Sequence, residues 1–338
     1  TSNPVDAALW LARVFADGGR LAVWAPDADD HAHHVAVEFV HPVIAGTRPL
    51  PAFAIADPSQ VSDTETLLVI GDVSAATAAH LRVATGESDV AVVRSYHLLW
   101  ELVQVALEHP GIVGGTAPTG GDATGFLYPF LDAAEHDEAS LRSALETSAR
   151  AKITDSEHLI AQTLAANADA LATAAGAITS AIRNGGRVHA MGNGGSATDA
   201  ARLVRVLQAH GVPAGTLAGD YAVVTALAND VGVERVFARQ LVALSSPGDV
   251  LIGCSTSGTS TNLLAAFAEA DARELTTIGV SGYGGESFAA EPGIHHHLAV
   301  ASSSVHRIQE AQAALMAELC AVVADGLAET TRLDGVTR

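Results

Sequence analysis

The sequence predicts an α/β protein made of two tandem parallel sheets flanked by helices, the first sheet abbreviated. Strand-like apolar runs alternate with helical patterns along the whole chain, the order that produces parallel sheets through right-handed crossovers. Two turns rich in glycine or serine each follow a strand and open a helix in the second half. The order of the second half also recurs in the first. Leu21–His34 can be laid on Val188–Arg202, strand on strand and helix on helix, with one residue of slack at the start.

The first half reads in this order. A helix over 7–16 ends at Gly18-Gly19. LAVWAP (21–26) is a strand, and DHAHHVAVEFVHPVI (30–44) a helix. PLPAFAIAD (49–57) is a strand. ETLLVIGDVS (65–74) is a strand and turn, and ATAAHLRVA (76–84) a helix. DVAVV (89–93) is a strand, and SYHLLWELVQVALEH (95–109) a closing helix. The Gly-, Thr- and Pro-rich stretch 109–125 reads as linker or surface loop. The expected organisation is a first domain over 1–110, a linker over 111–136 and a second domain over 137–330.

The second half is the easier to read. Long helical patterns over 137–183 carry Leu159, Ile160, Leu164, Leu171 and Ile178 on apolar positions, and Asn184-Gly185-Gly186 stops them. RVHAM (187–191) is a strand. GNGGSATD (192–199) turns into the helix AARLVRVLQAH, which Gly211 ends. VPAGTLA is strand-like and YAVVTALA helical. DVLIG (249–253) is a buried strand running into CSTSGTSTN (254–262) and the helix LLAAFAEADAR. ELTTIGVSG is a strand with a glycine exit. Leu298–Ala301 is a strand, and a long helix closes the chain from about Val305 to Leu327.

Composition narrows the function. The 338 residues carry 38 acidic and 18 basic side chains, a formal charge of −20. That balance excludes phosphate-backbone binding to nucleic acid and attraction to an anionic membrane surface. Lys152 is the single lysine, so Schiff-base chemistry has one possible home. Two cysteines, Cys254 and Cys320, exclude a disulfide framework and a cysteine-built zinc site. No uninterrupted apolar run reaches membrane-spanning length. A cytoplasmic location is the expectation.

The chemistry concentrates in the two turns. Glycines in GNGGSATD let the backbone approach a ligand, and N–H groups at the helix start attract an anion. Ser196 adds a hydroxyl. CSTSGTSTN offers Ser255, Thr256, Ser257, Thr259 and Ser260 to a phosphate monoester without any lysine. Simple helix capping is the alternative for these hydroxyls. Two such loops at the carboxyl ends of parallel strands mark a ligand crevice.

GNGGSATDA, ANDVGVERVFARQL (228–241), GDVLIGCSTSGTSTN and HRIQEAQ (306–312), in that order, resemble a sugar isomerase (SIS) domain of the phosphoheptose isomerase type. The likeness covers roughly 140–327. It implies a five-stranded parallel sheet and usually a tetramer. It implies that Asn193, Gly194, Gly195, Ser196, Ser255, Thr256, Ser257, Ser260 and Gln309 hold a sugar phosphate, with Asp230 near the sugar. The reaction implied interconverts sedoheptulose 7-phosphate and an aldoheptose 7-phosphate, often with zinc.

The second half departs from that pattern. Active members of the family carry His at the position of Arg202, Glu at that of Val206 and His at that of Ala317. The first half resembles the missing parts. HHVAVEFVHP places His34 and Glu38 at the His and Glu positions, an i, i+4 pair on one helix face. YHLLWELV places His97 at the catalytic histidine. The first half in turn lacks a phosphate site. WAPDADD (24–30) replaces the glycine turn with three aspartates, DVSAATA (72–78) replaces the serine loop, and the start of the closing helix reads as deleted.

The losses are complementary and suggest one composite site. Glu38 is its expected base and His97 its acid or second base. His34, Glu38, His97 and Gln309 are the expected ligands of Zn2+ or another divalent metal. The expected partner is a heptulose 7-phosphate, and the expected assembly a homodimer mimicking four SIS-like units. A catalytically inactive sugar-phosphate sensor or assembly factor is the rival reading. Other features have plainer readings: His31 and His33 as part of a solvated acidic turn, His295–His297 as a wet start to a strand, Cys254 as an apolar filler, and Trp10 and Trp100 as core.

Overall fold

The structure, a computed structural model, describes residues 3–42, 49–71, 79–83, 88–114 and 137–336. The chain divides into two compact units, Thr1–His158 and Leu159–Arg338.

Unit 1 opens with α1 (Pro4–Ala16), where the Asn3 side chain accepts from the Val5 N–H at 2.9 Å and Pro4 starts the helix. Both are ordinary helix-start devices. β1 (Arg20–Trp24), α2 (Asp29–Val40), β2 (Ala52–Ala54), β3 (Glu65–Ile70), β4 (Leu81–Val83), α3 (Asp89–Leu107) and the short α4 (Pro110–Val113) follow. The four strands pair in parallel in the order β2-β1-β3-β4. Leu9, Phe15, Leu21, Phe39, Leu68, Ile70, Tyr96 and Trp100 are fully or almost fully buried around that sheet. Each such side chain contributes about 1.5–3 kcal/mol by leaving water. Part of α5 (Glu138–Ala166) completes the unit. Its Lys152 ammonium pairs at 3.0 Å with Glu101, a carboxylate of α3 that is 1% exposed.

Unit 2 takes the rest of α5 and continues through α6 (Ala168–Arg183), β5 (Val188–Gly192), α7 (Gly195–Ala209), β6 (Ala214–Thr216), α8 (Tyr221–Asp230), α9 (Val236–Leu244), β7 (Val250–Ser255), α10 (Thr261–Ala272), β8 (Thr276–Ser281), α11 (Glu286–Ala289), β9 (His296–Ala299) and α12 (Val305–Val336). Its five strands are all parallel, in the order β6-β5-β7-β8-β9. This is the expected five-stranded sheet. On one side α6, α7 and α12 bury Ile178, Leu203, Leu315 and Leu319 against Val188, Ile252 and Leu298. On the other, α9 and α10 bury Phe237, Leu241 and Phe267. α3 and the Val305–Ala328 stretch of α12 have the length and apolarity of a membrane span. Both instead bury side chains in the cores just described.

Three sequence expectations are corrected. DVAVV is the first turn and a half of α3, capped by the Ser88 side chain, and not a strand. α3 is buried on every side from Tyr96 round to Ala106, so no amphipathic period marks that stretch as a helix. Leu81–Val83, read as helix, forms the short strand β4. The start of the closing helix is shortened rather than missing, since α3 begins eight residues before His97 and α12 twelve before Ala317. Asp89 stands eight residues before His97, the spacing that separates Gln309 from Ala317. Most of the 111–136 linker and all of DVSAATA lie outside the described residues.

Candidate active site: two loops and a histidine–glutamate cluster

In unit 2 the glycine turn is dictated by clearance. A Cβ on Gly192 would stand 2.2 Å from the Ser196 carbonyl oxygen, and Gly194 has φ +54°. Only glycine lets β5 end so close to the first turn of α7. Asn193 and Gly194 are exposed, Gly195 half-buried and Ser196 buried. The serine loop between β7 and α10 turns through Gly258, at φ +69°. Ser255 is buried, and its Oγ accepts from the Gly258 N–H at 2.9 Å. Thr256 and Ser260 are half-buried and Ser257 is exposed.

The two loops are tied to each other. The Asn193 and Asn262 amides exchange hydrogen bonds of 3.0 and 2.8 Å. Asn262 closes the serine motif but was not foreseen as a site residue; its place at the start of α10 was the available signal. From α12, the Gln312 amide donates to the Ser255 carbonyl at 3.0 Å and holds the loop from below. Neither α7 nor α10 has a side-chain cap, although Ser260 occupies the capping position of α10. The capping alternative is thereby removed for Ser260, whose hydroxyl is left for another partner. Gln309 is buried on α12. Asp230 is exposed at the end of α8, where it accepts from Asn229 at 2.7 Å.

One position that departs from the expected pattern holds a buried ion pair. Arg202 is 4% exposed and donates to Asp199, itself 0% exposed, at 2.6 Å. Burial raises the Cys254 thiol far above its usual range, and its Sγ lies 3.5 Å from Met316 Sδ. That fits the filler reading.

Unit 1 gathers the other set. His34 and Glu38 sit one turn apart on α2, and His97 comes from α3. All three are buried: 0%, 3% and 0% exposed. His34 Nε2 lies 3.3 Å from His97 Nε2 and 3.6 Å from Glu38 Oε1. One ligand atom from each of the three lies within 4.8 Å of the others. Nitrogen ligands about 2.05 Å from a tetrahedral zinc stand about 3.3 Å apart, so two imidazoles and a carboxylate here fit a divalent ion. At the same spacing one imidazole N–H can donate to the other. The Tyr96 ring packs 5.0 Å from His34 and 5.1 Å from His97 and fixes both.

His31 is not in a solvated turn. It is 0% exposed and lies 3.1 Å from Asp89, the residue at the glutamine spacing. His33 alone of this pair is exposed. Trp100 is core as expected, but Trp10 is 37% exposed and stacks on His80. His295 is exposed and pairs with Asp271, while His297 is half-buried and meets Ser281 Oγ at 2.7 Å.

Fold and loops together define a class: a double-sheet α/β protein whose larger sheet carries a glycine turn and a serine loop at its strand ends. The comparisons give the family. The SIS domain model matches residues 153–282. The phosphoheptose isomerase of Roseiflexus sp. (strain RS-1) is 36% identical over 168 residues, covering 48% of this chain and 84% of the relative. That of Thermodesulfovibrio yellowstonii is 35% identical over 198 residues, 57% of this chain and 94% of the relative. The phosphoheptose isomerase structure from Neisseria gonorrhoeae superposes with TM-score 0.51 at 31% identity, over 54% of this chain and 99% of that one. The C-terminal domain of the glucosamine-fructose-6-phosphate aminotransferase from Francisella tularensis covers 97% of this chain and 92% of its own, with TM-score 0.59 and 10% identity. That last likeness concerns the fold alone and extends it to both sheets. The chain belongs to the SIS-domain family and is related to the phosphoheptose isomerases.

Proposed function

We propose that this protein is an aldose–ketose isomerase whose first-choice substrate is sedoheptulose 7-phosphate. Its labour is divided between the units. Unit 2 holds the phosphate and sugar through Asn193, Gly194, Gly195, Ser196, Ser255, Thr256, Ser257, Ser260 and Gln309, with Asp230 near the sugar. Unit 1 supplies Glu38 and His97. The observation that carries the reading is the buried convergence of His34, Glu38 and His97, in a chain whose phosphate-binding half has Arg202 paired to Asp199 where the family carries a histidine.

The chemistry needs one proton moved between adjacent carbons and one between their oxygens. Glu38 takes the proton from C1 of the ketose. The C1–H electron pair forms the C1=C2 bond of an enediol while O2 gains a proton from His97. Glu38 then returns its proton to C2, and His97 recovers one from O1, leaving the aldehyde at C1. His34 holds Glu38 in place from one turn away. A divalent ion held by His34, Glu38 and His97, with Gln309 as a further donor, would polarise the substrate oxygens when bound. The proposed working form is a homodimer carrying four SIS-like units.

The test is turnover of sedoheptulose 7-phosphate, with product followed by NMR, beside a Glu38→Gln variant. Turnover in the wild type that is lost in the variant supports the division of labour. Saturable sugar-phosphate binding without turnover supports the second reading, a receptor without catalysis, which Arg202 and Ala317 favour.

A further inference from the structure

A third loop stands beside the two already described. It runs Ser281-Gly282-Tyr283-Gly284-Gly285, from the carboxyl end of β8 into α11. Register places its first residue next to the serine loop: Ser281 pairs with Ser255 across β8 and β7. The Gly282 N–H donates to the Thr256 carbonyl at 3.1 Å. A Cβ on Gly282 would stand 2.6 Å from that same oxygen and 2.6 Å from Ile308 Cγ2. Gly282 is therefore wedged between Thr256 and the residue that precedes Gln309. Thr256, and Gln309 next to Ile308, belong to the proposed sugar-phosphate site.

Tyr283 follows directly. It has φ +50°, one of two non-glycine residues with positive φ among those described. Gly284 and Gly285 continue at +81° and +82°. The turn is pinned, since Gly284 N–H donates to Val300 and Gly285 N–H to Gly282, both at 2.9 Å. Tyr283 is 48% exposed. A large aromatic thus occupies a position that glycine would fill with less strain, and gains little burial there. Folding gives no account of that choice, whereas a ligand does. A tyrosine presents an apolar face to sugar C–H groups and a hydroxyl that both donates and accepts.

We propose that Tyr283 is a specificity-determining residue of the unit 2 site, contacting the sugar chain of a phosphorylated polyol or ketose whose phosphate sits in the Ser255–Ser260 loop. The inference rests on the sugar-phosphate reading of that loop. It concerns the part of the ligand beyond the phosphate.

The experiment is calorimetric titration of the full chain with inorganic phosphate and with sedoheptulose 7-phosphate, for wild type, Tyr283→Gly and Tyr283→Phe. Glycine suits the backbone angle, so Tyr283→Gly is expected to melt no lower than wild type. Its affinity for sedoheptulose 7-phosphate is expected to fall about tenfold, with phosphate affinity unchanged, and Tyr283→Phe to fall between. Equal sedoheptulose 7-phosphate affinity in all three proteins overturns the role of Tyr283 and leaves the phosphate loop standing. A wild type that binds neither ligand overturns the loop assignment and the Tyr283 role with it.

Discussion

The turn after β1 and the turn after β5 hold the same place in two sheets whose first four strands share one order. They run Trp24-Ala25-Pro26-Asp27-Ala28 and Gly192-Asn193-Gly194-Gly195-Ser196. Gly192 has no room for a Cβ, and its counterpart is a tryptophan. Counted from those two residues, α2 starts two positions later than α7. Asp29 and Asp30 fill the first turn of α2, whose partial positive charge an anion would otherwise meet. Unit 1 thus departs from the glycine turn of unit 2 in backbone clearance as much as in charge. The helix behind the turn diverges the other way. α2 keeps a buried His34–Glu38 pair where α7 carries Arg202 and Val206. On the function proposed above, one backbone plan supports either a binding turn or a proton-transfer helix, and each unit has kept one of the two.

The largest expected effect falls on the helix side. Glu38→Gln is expected to lower turnover by about 10²–10⁴-fold, the usual worth of a positioned acid–base group, with sedoheptulose 7-phosphate binding retained. Loss of binding with turnover would collapse the distinction between the units. Next comes the buried pair at the family's histidine position. Asp199→Asn removes a buried carboxylate from the Arg202 guanidinium, and should cost about 3–5 kcal/mol in denaturant unfolding. A smaller loss would mean that Arg202 reaches solvent when its partner is gone.

Gly192→Ala probes the turn itself. Its Cβ would meet backbone, not a movable side chain, so the turn must shift. Phosphate affinity should drop at least tenfold, whereas Trp24→Ala in unit 1 should leave it unchanged. Equal losses from both substitutions would break the comparison. The smallest effect concerns pH. Burial lowers the His297 pKa, and burial followed by the neighbouring His295 lowers that of His296. Between each folded value and the ordinary value of about 6.5, the unfolded chain binds more protons. Stability should therefore fall as pH drops through 6.5 and level off below the folded values. His297→Gln should flatten part of that slope in melts between pH 7 and 5.

Much of this was legible in the sequence because it is local. Glycine turns, serine loops and an i, i+4 histidine–glutamate pair are each written in a few adjacent residues, and the order of elements in unit 2 follows from alternation. What was not legible depends on surroundings. The run Asp89–Val93 has the β-branched look of a strand, yet it is the start of a helix that buries Val92 and Val93. Leu81–Val83 is a strand of three residues with an exposed Arg82, too short to show alternation. His31 lies among aspartates in sequence, while its ring is enclosed by α3 through Asp89 and Tyr96. Asn262 and Gly282 gain their meaning only from the loop each one touches.

The ion pair between Lys152 and Glu101 has a practical consequence. The chain's one lysine ammonium is held against a buried carboxylate inside unit 1, and its two thiols, Cys254 and Cys320, are buried inside unit 2. Acylation of Lys152, whose side chain is 17% exposed, must compete with its pairing to Glu101, and an alkylating reagent at the cysteines must wait for unit 2 to open. Two labelling rates, read by mass spectrometry on one sample, therefore report on the ion pair of unit 1 and on the breathing of unit 2 separately. Adding sedoheptulose 7-phosphate to such a sample would show which of the two clocks the ligand slows.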